Sequence, residues 1–262
     1  MYEKKYKIII THNSSLKSNI IIGGKKMKLK DKVAVVTGAG GTLCSVLSYD
    51  LAMEGCKVAL VGRTLEHLQP VYDKIVNNGG VAIMKVCDVY NLDEVQKVAN
   101  EVTKELGPVN FLVNGAGGNK ATATTKKDFI SKDEFDENHE LDGFFDLNVN
   151  DINTVLNINT MGTLIPCRVF GKIMAQNGGG SIVNFASMNS YKPLTKNVSY
   201  AMAKAGIYNF TEWLANYLAP AGIRVNGIAP GFFVNERSKK ILFTTPSHNQ
   251  KLTLYNNGQF LL

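Results

Sequence analysis

The residues in this sequence best suited to chemistry are Tyr200 and Lys204, in the run Tyr200-Ala-Met-Ala-Lys204, with Ser187 thirteen positions earlier. A spacing of four puts a phenol and an ammonium on one face of a helix. The neighbouring positive charge favours phenolate, drawing a pKa of about 10 toward the working range, so the pair can pass a proton to or from an oxygen. A serine hydroxyl nearby can hydrogen-bond that oxygen and stabilise charge developing on it. By itself the tyrosine–lysine spacing says little: with ten tyrosines and abundant lysine, roughly one match is expected by chance. The weight lies in the ordered features around it and in the elements that must position them.

From residue 33 onward, short β-branched runs alternate with helical patterns. Strands are predicted at 33–37, 57–61, 81–86, 109–114, 181–186 and 224–228, with helices at 42–54, 64–78, 91–105, 150–176 and 199–219. Leu43, Val46, Leu47 and Leu51 mark one apolar face of the first helix, and Val95, Val98, Val102 and Leu106 one face of the third. Pro70 is expected to kink the second helix or delay its start. This alternation predicts an α/β fold, a doubly wound parallel sheet with right-handed crossovers and six recognisable strands. The polar segment 118–149 is long for a connection in such a fold. It reads as an insertion at the carboxyl edge of the strands, where ligands bind.

The first strand runs into Thr37-Gly-Ala-Gly-Gly-Thr-Leu-Cys-Ser45. Gly38, Gly40 and Gly41 allow a phosphate to approach the backbone, and the helix opening at Thr42 and Leu43 supplies N–H donors; the plain alternative is a tight turn with no ligand. The usual spacing would put glycine at 42 and 44, where this chain has Thr42 and Cys44. At the end of the second strand stand Arg63 and Thr64, with no carboxylate for a ribose. Arg63 either pairs with a 2′-phosphate, stacks on adenine, or lies in solvent. Asp88 and Val89 end the third strand, and Asn114, Ala116 and Gly117 the fourth. Asn159, Ser187, the Tyr200–Lys204 pair and Pro230-Gly231 follow in order.

This ordered set resembles the short-chain dehydrogenase/reductase superfamily over approximately residues 28–235. The resemblance implies a Rossmann-type domain and a catalytic set of Asn159, Ser187, Tyr200 and Lys204. In those roles Tyr200 exchanges the hydroxyl proton while hydride moves to or from a nicotinamide. Lys204 also holds the nicotinamide ribose, and Asn159 holds a water linking Lys204 to solvent. NADP(H) is favoured through Arg63, with NAD(H) the alternative. Within the superfamily, the Thr37–Ser45 loop, Asn114-Gly-Ala-Gly-Gly-Asn119 and Ser187-Met-Asn-Ser-Tyr-Lys-Pro-Leu look like sugar-acid reductases of the D-mannonate (fructuronate) oxidoreductase type. Asn189, Lys192 and Lys196 are candidate substrate contacts, the lysines for a carboxylate. Gluconate 5-dehydrogenase-like and 3-oxoacyl carrier-protein reductase-like activities are the alternatives.

The net charge of +7 is confined to residues 1–30, which hold eight lysines and one glutamate; the remaining 21 basic and 21 acidic groups cancel. A nucleic-acid surface is therefore not indicated. No apolar run approaches the roughly 18 residues of a membrane span. The four cysteines form no paired motif and read as buried thiols of a cytoplasmic protein, and no cluster suggests a metal. Residues 1–26 are expected to be a disordered or misassigned extension, followed by a single domain over 27–262. Past Gly231 only 31 residues remain, short for the superfamily and lacking its seventh strand. A homo-oligomer is expected if that shortened end, about 236–262, permits it. A truncated, weakly active dinucleotide-binding remnant is the competing reading.

Overall fold

The computed structural model describes residues 21–22, 25–26, 29–136, 143–192 and 194–231. Six strands form one parallel sheet: β1 (Val33–Thr37), β2 (Lys57–Gly62), β3 (Val81–Val86), β4 (Val109–Asn114), β5 (Gly180–Phe185) and β6 (Ile223–Ile228). Their order across the sheet is β3-β2-β1-β4-β5-β6. The chain thus winds one way from β1 to β3 and the other way from β4 to β6, leaving a crevice where the direction reverses, between β1 and β4.

β1 is apolar throughout because both its faces are covered. Val33 and Val35 join one core cluster, with Leu112, Phe170 and Ile182. Ala34 and Val36 join another, with Leu60, Leu68 and Ile75. Continuous apolar strands of this kind belong to the interior of parallel sheets. The first cluster lies under α3 (Leu92–Leu106), α4 (Val149–Gln176) and α5 (Val198–Leu218). The second lies under α1 (Thr42–Met53) and α2 (Leu65–Asn77).

Helix starts follow local chemistry. Asn91 Oδ1 accepts the amides of Asp93 and Glu94 at 3.0 and 3.3 Å, and Asn148 Oδ1 those of Asn150 and Asp151 at 2.9 and 3.1 Å. α2 runs through Pro70 rather than starting after it. Glu66 and Pro70 are both exposed, so the carbonyl deprived of its amide partner faces water.

All four cysteines are free and buried. At the β6 edge Arg224 and Asn226–Ile228 are exposed, as expected of an edge strand. Ile21–Ile22 pairs antiparallel with Lys25–Lys26. The rest of the expected extension, and the expectations for 236–262, lie outside the described residues. No described helix is long and apolar enough to cross a membrane.

Candidate active site

The carboxyl ends of β1, β4, β5 and β6 open onto a cleft of about 340 Å³, lined among others by Gly38, Gly41, Thr42, Leu43, Ser187, Tyr200, Lys204, Pro230 and Gly231. Residues spread over nearly 200 positions of sequence meet here because every strand points its carboxyl end the same way.

One wall is the turn into α1. Gly38 has φ 64°, and a Cβ there would lie 2.7 Å from the Gly115 carbonyl oxygen. The turn is therefore pressed against the loop after β4. No side chain caps α1 and its first turn holds no acid, which suits this helix start to receiving an anion. The thiol of Cys44, where the usual pattern has glycine, projects toward residue 115. It fits because residue 115 has no side chain. Thr37 joins the two turns, its Oγ1 accepting the amides of Gly115 and Ala116 at 3.2 Å each.

The opposite wall is the loop after β5 and the start of α5. Ser187 is buried, and its Oγ accepts the Asn189 amide at 3.2 Å. One acceptor position is thereby occupied, which leaves the hydroxyl able to donate. Lys204 is 4% exposed; its Nζ donates to the Phe185 carbonyl at 2.7 Å and lies 5.5 Å from the centre of the Tyr200 ring. Burial lowers the Lys204 pKa from 10.5 to about 8, against a small opposing effect of Cys44. Burial likewise pushes the Cys44 thiol up to about 11, with the lysine working against it.

The Tyr200 phenol is raised above its ordinary value by burial, with the Ser187 hydroxyl pulling it back down. This differs from the expectation that Lys204 would draw the phenol down. Burial is the larger effect on the phenol, and the lysine head group is turned to the Phe185 carbonyl. Asn159, fully buried on α4, donates both amide hydrogens, to Gly118 O at 2.8 Å and Val155 O at 2.7 Å, and accepts the Gly118 amide at 3.3 Å. It clamps the loop after β4; only the second lone pair of Oδ1 is left for a water. A Cβ on Gly117 would lie 2.5 Å from that oxygen.

Other candidates stand outside the cleft lining. Arg63 and Thr64 are exposed beyond β2. Gly40 packs against the His67 backbone. Asp88 is engaged locally, its Oδ1 accepting the Tyr90 amide at 3.1 Å, and Val89 is buried against Gly162. The Asn114 side chain works inside the core, donating to Asn184 Oδ1 at 2.9 Å and Cys167 Sγ at 3.1 Å. Lys192 is exposed, and Lys196 Nζ lies 3.7 Å from Asp128. Asn189 is buried, its Oδ1 accepting the Leu194 amide at 3.1 Å.

The insertion docks on the loop leading to Tyr200. Thr195 donates to Asp128 at 2.7 Å, the Thr125 amide to the Lys196 carbonyl at 3.1 Å, and Asn119 to Asn197 at 2.8 Å. Residues missed in the sequence were Thr37, Cys44, Gly115, Gly118 and Phe185. The first four lie in motifs already noticed. Phe185 contributes a carbonyl, for which side-chain identity is no signal.

A dinucleotide fits these residues. A glycine-walled trough faces uncapped helix amides, and a Cβ on Gly118 or Gly231 would meet nothing within 4 Å, as required of backbone over which a ligand lies closely.

The family model described as short chain dehydrogenase matches residues 32–243. An uncharacterized oxidoreductase of Haemophilus influenzae is 42% identical over 217 residues, covering 83% of this chain and 75% of that protein. A candidate D-mannonate oxidoreductase from Haemophilus influenza, crystallised with bound NAD, superposes with a TM-score of 0.82 at 40% identity, covering 88% of this chain and 84% of that one. A candidate NAD(P)-dependent gluconate 5-dehydrogenase from Beutenbergia cavernae, with bound NADP, gives 0.72 at 28% identity, covering 86% and 81%.

Proposed function

The chain belongs to the short-chain dehydrogenase family, and from that premise we propose that it interconverts a secondary alcohol and a ketone on a sugar acid or polyol, of D-mannonate/fructuronate type. The carrying observation is the convergence of Ser187, Tyr200 and Lys204 on the cleft that Gly38, Gly41 and Gly231 line. A bound nicotinamide dinucleotide supplies or accepts the hydride. Gly38, Gly41 and the first turn of α1 hold its phosphates, and Lys204 its ribose. NADP(H) is the favoured form, with Arg63 as the 2′-phosphate contact.

The protein's own chemistry is proton management. Tyr200, kept protonated by burial, donates its proton to the oxygen of the ketone as that oxygen gains negative charge. Ser187 donates a hydrogen bond to the same oxygen and orients it. Lys204, with a pKa near 8, returns a proton to Tyr200 at neutral pH. Asn159 keeps the Gly117–Gly118 backbone in place at this point of the cleft.

The sugar-acid preference is supported by the likeness to the NAD-bound mannonate oxidoreductase candidate. In this reading Lys192, exposed on the loop between Ser187 and Tyr200, is assigned as the partner of a substrate carboxylate. A cytoplasmic location agrees with four free thiols. A homo-oligomer agrees with the exposed stack of Trp213 and Tyr217 on α5, ring centres 5.0 Å apart; light scattering tests it. The decisive assay compares reduction rates of fructuronate, 5-ketogluconate and an acetoacetyl thioester with NADPH and NADH. Preference for the uronate is expected; equal rates, or preference for the thioester, reject the sugar-acid reading.

A further inference from the structure

We propose that Ser190 is a positioning residue for this reaction, its single hydroxyl tying the loop that carries Ser187 to the helix that carries Tyr200 and Lys204. Ser190 Oγ donates to the Lys204 carbonyl at 2.7 Å and accepts the Ser187 amide at 3.3 Å. One oxygen therefore touches the backbones of two residues whose side chains must meet at the reacting oxygen. The inference rests on the proton-transfer roles proposed above.

The remaining bonds of this loop explain why that one matters. The Met188 amide donates to the Pro230 carbonyl at 3.1 Å, and the Ala186 amide to Ile228 at 2.8 Å. These fasten the loop to the end of β6. Asn189 and the Ser190 amide bond within the loop, to Ser187 and Leu194. Among the described residues, the Ser190 hydroxyl is the one hydrogen-bonding group of 188–190 that reaches α5. The Lys204 ammonium on the Phe185 carbonyl and the Tyr191–Tyr208 ring contact also join this loop to α5, but the Ser190 hydroxyl is the group that fixes the backbone of Ser187 against the backbone of Lys204. Without it the Ser187 amide loses its acceptor.

The effect falls mainly on chemistry, because the glycine turn assigned to the phosphates is on the other wall and Lys204, assigned to the ribose, keeps its own bond to the Phe185 carbonyl. A displacement of a few tenths of an ångström to 1 Å at a reacting group lowers the rate by up to about a hundredfold. Ser190→Ala is expected to lower kcat about tenfold, with dinucleotide affinity changed less than about twofold. Loss of aim by Ser187 also removes its downward pull on the phenol, so Tyr200 titrates at higher pH. Ser190→Thr keeps the hydroxyl and restores both properties.

The test is an ultraviolet phenol titration of Tyr200, taken as the difference from a Tyr200→Phe background, alongside kcat. An upward shift in Ser190→Ala with recovery in Ser190→Thr supports the proposal. An unmoved titration overturns it, whether or not kcat falls, since a merely structural role would lower melting temperature and rate without moving the phenol. If Ser190→Ala does not fold, Ser190→Cys, similar in volume but a weak donor, is read in the same way. The titration needs no substrate. If no ketone is reduced by the wild-type protein, the function proposed above fails while this measurement still decides the role of Ser190.

Discussion

Cys44 and Gly115 share one space: a side chain on residue 115 would collide with the Cys44 thiol. The thiol stands where the usual glycine turn has no side chain, and the glycine that makes room for it sits 71 positions away on the neighbouring strand's loop. The pair should therefore behave as a unit. Gly115→Ala is expected to cost about 1–3 kcal/mol through overpacking. Adding Cys44→Gly should recover most of it. Thermal melts of the two single variants and the double variant measure this, and simple additivity would show that the residues do not share the space.

Removal of the Tyr200 hydroxyl tests the acid. Tyr200→Phe should reduce turnover by about 10²–10⁴-fold while leaving dinucleotide affinity within about twofold, since the phosphate-facing turn is untouched. Steady-state kinetics with a fluorescence titration of NADPH separates the two. Substantial turnover in the purified variant counts against Tyr200 as proton donor.

The two reaction directions should differ with pH. Burial raises the Tyr200 pKa above 10, so the proton is retained through neutral and mildly alkaline pH. Ketone reduction, which needs that proton, should be flat there as far as Tyr200 is concerned. Alcohol oxidation, which needs phenolate, should keep climbing past pH 9. Initial rates in both directions from pH 6 to 10.5 give the answer; oxidation levelling off near pH 7 would mean that the phenol is lowered instead.

Lys204 links stability to pH. In the folded chain it releases its proton near pH 8, whereas unfolded it holds it to about 10.5. Between these values the unfolded chain binds more protons, so stability from this group rises as pH rises, and the full cost is present below about pH 8. That cost is on the order of 3 kcal/mol. The stability difference between wild type and Lys204→Met should therefore shift in favour of wild type from pH 8 to 10.5. Denaturant midpoints at several pH values measure the slope; Cys44, whose thiol the lysine influences, is replaced by Ala in both proteins, and the remaining buried cysteines cancel in the comparison. A difference independent of pH rejects the assignment.

Arg63, exposed beyond β2, tests the cofactor preference. Arg63→Ala should weaken NADPH about 10–100-fold, the worth of a lost charge-assisted pair, and leave NADH nearly unchanged. Equal weakening of both would indicate stacking on adenine.

Much of the architecture is legible along the chain. Val33–Val36 is apolar at every position, which only a doubly covered strand requires, and Val95, Val98, Val102 and Leu106 repeat at helical spacing and are all buried. Period and composition are local properties, so they survive in one dimension. Gly38, Gly41, Ser187, Tyr200 and Lys204 were likewise recognisable, because their spacing places them at the same ends of successive elements, and all five line the cleft.

What one dimension does not carry is the direction in which a group points and what lies across from it. Asn114 and Tyr200 both read as site residues, yet the Asn114 side chain bonds to Asn184 and Cys167 in the core. Lys204 keeps its spacing from Tyr200, but its ammonium turns to a backbone carbonyl on β5, which no residue type announces. The sequence by itself determined the element order, the crevice and the set of reactive groups, since these follow from periodicity and spacing. Only the tertiary structure decided the pairing of Cys44 with Gly115, the bridging hydroxyl of Ser190 and the direction of each pKa shift. Those depend on distances and desolvation between segments that the chain separates and the fold brings together.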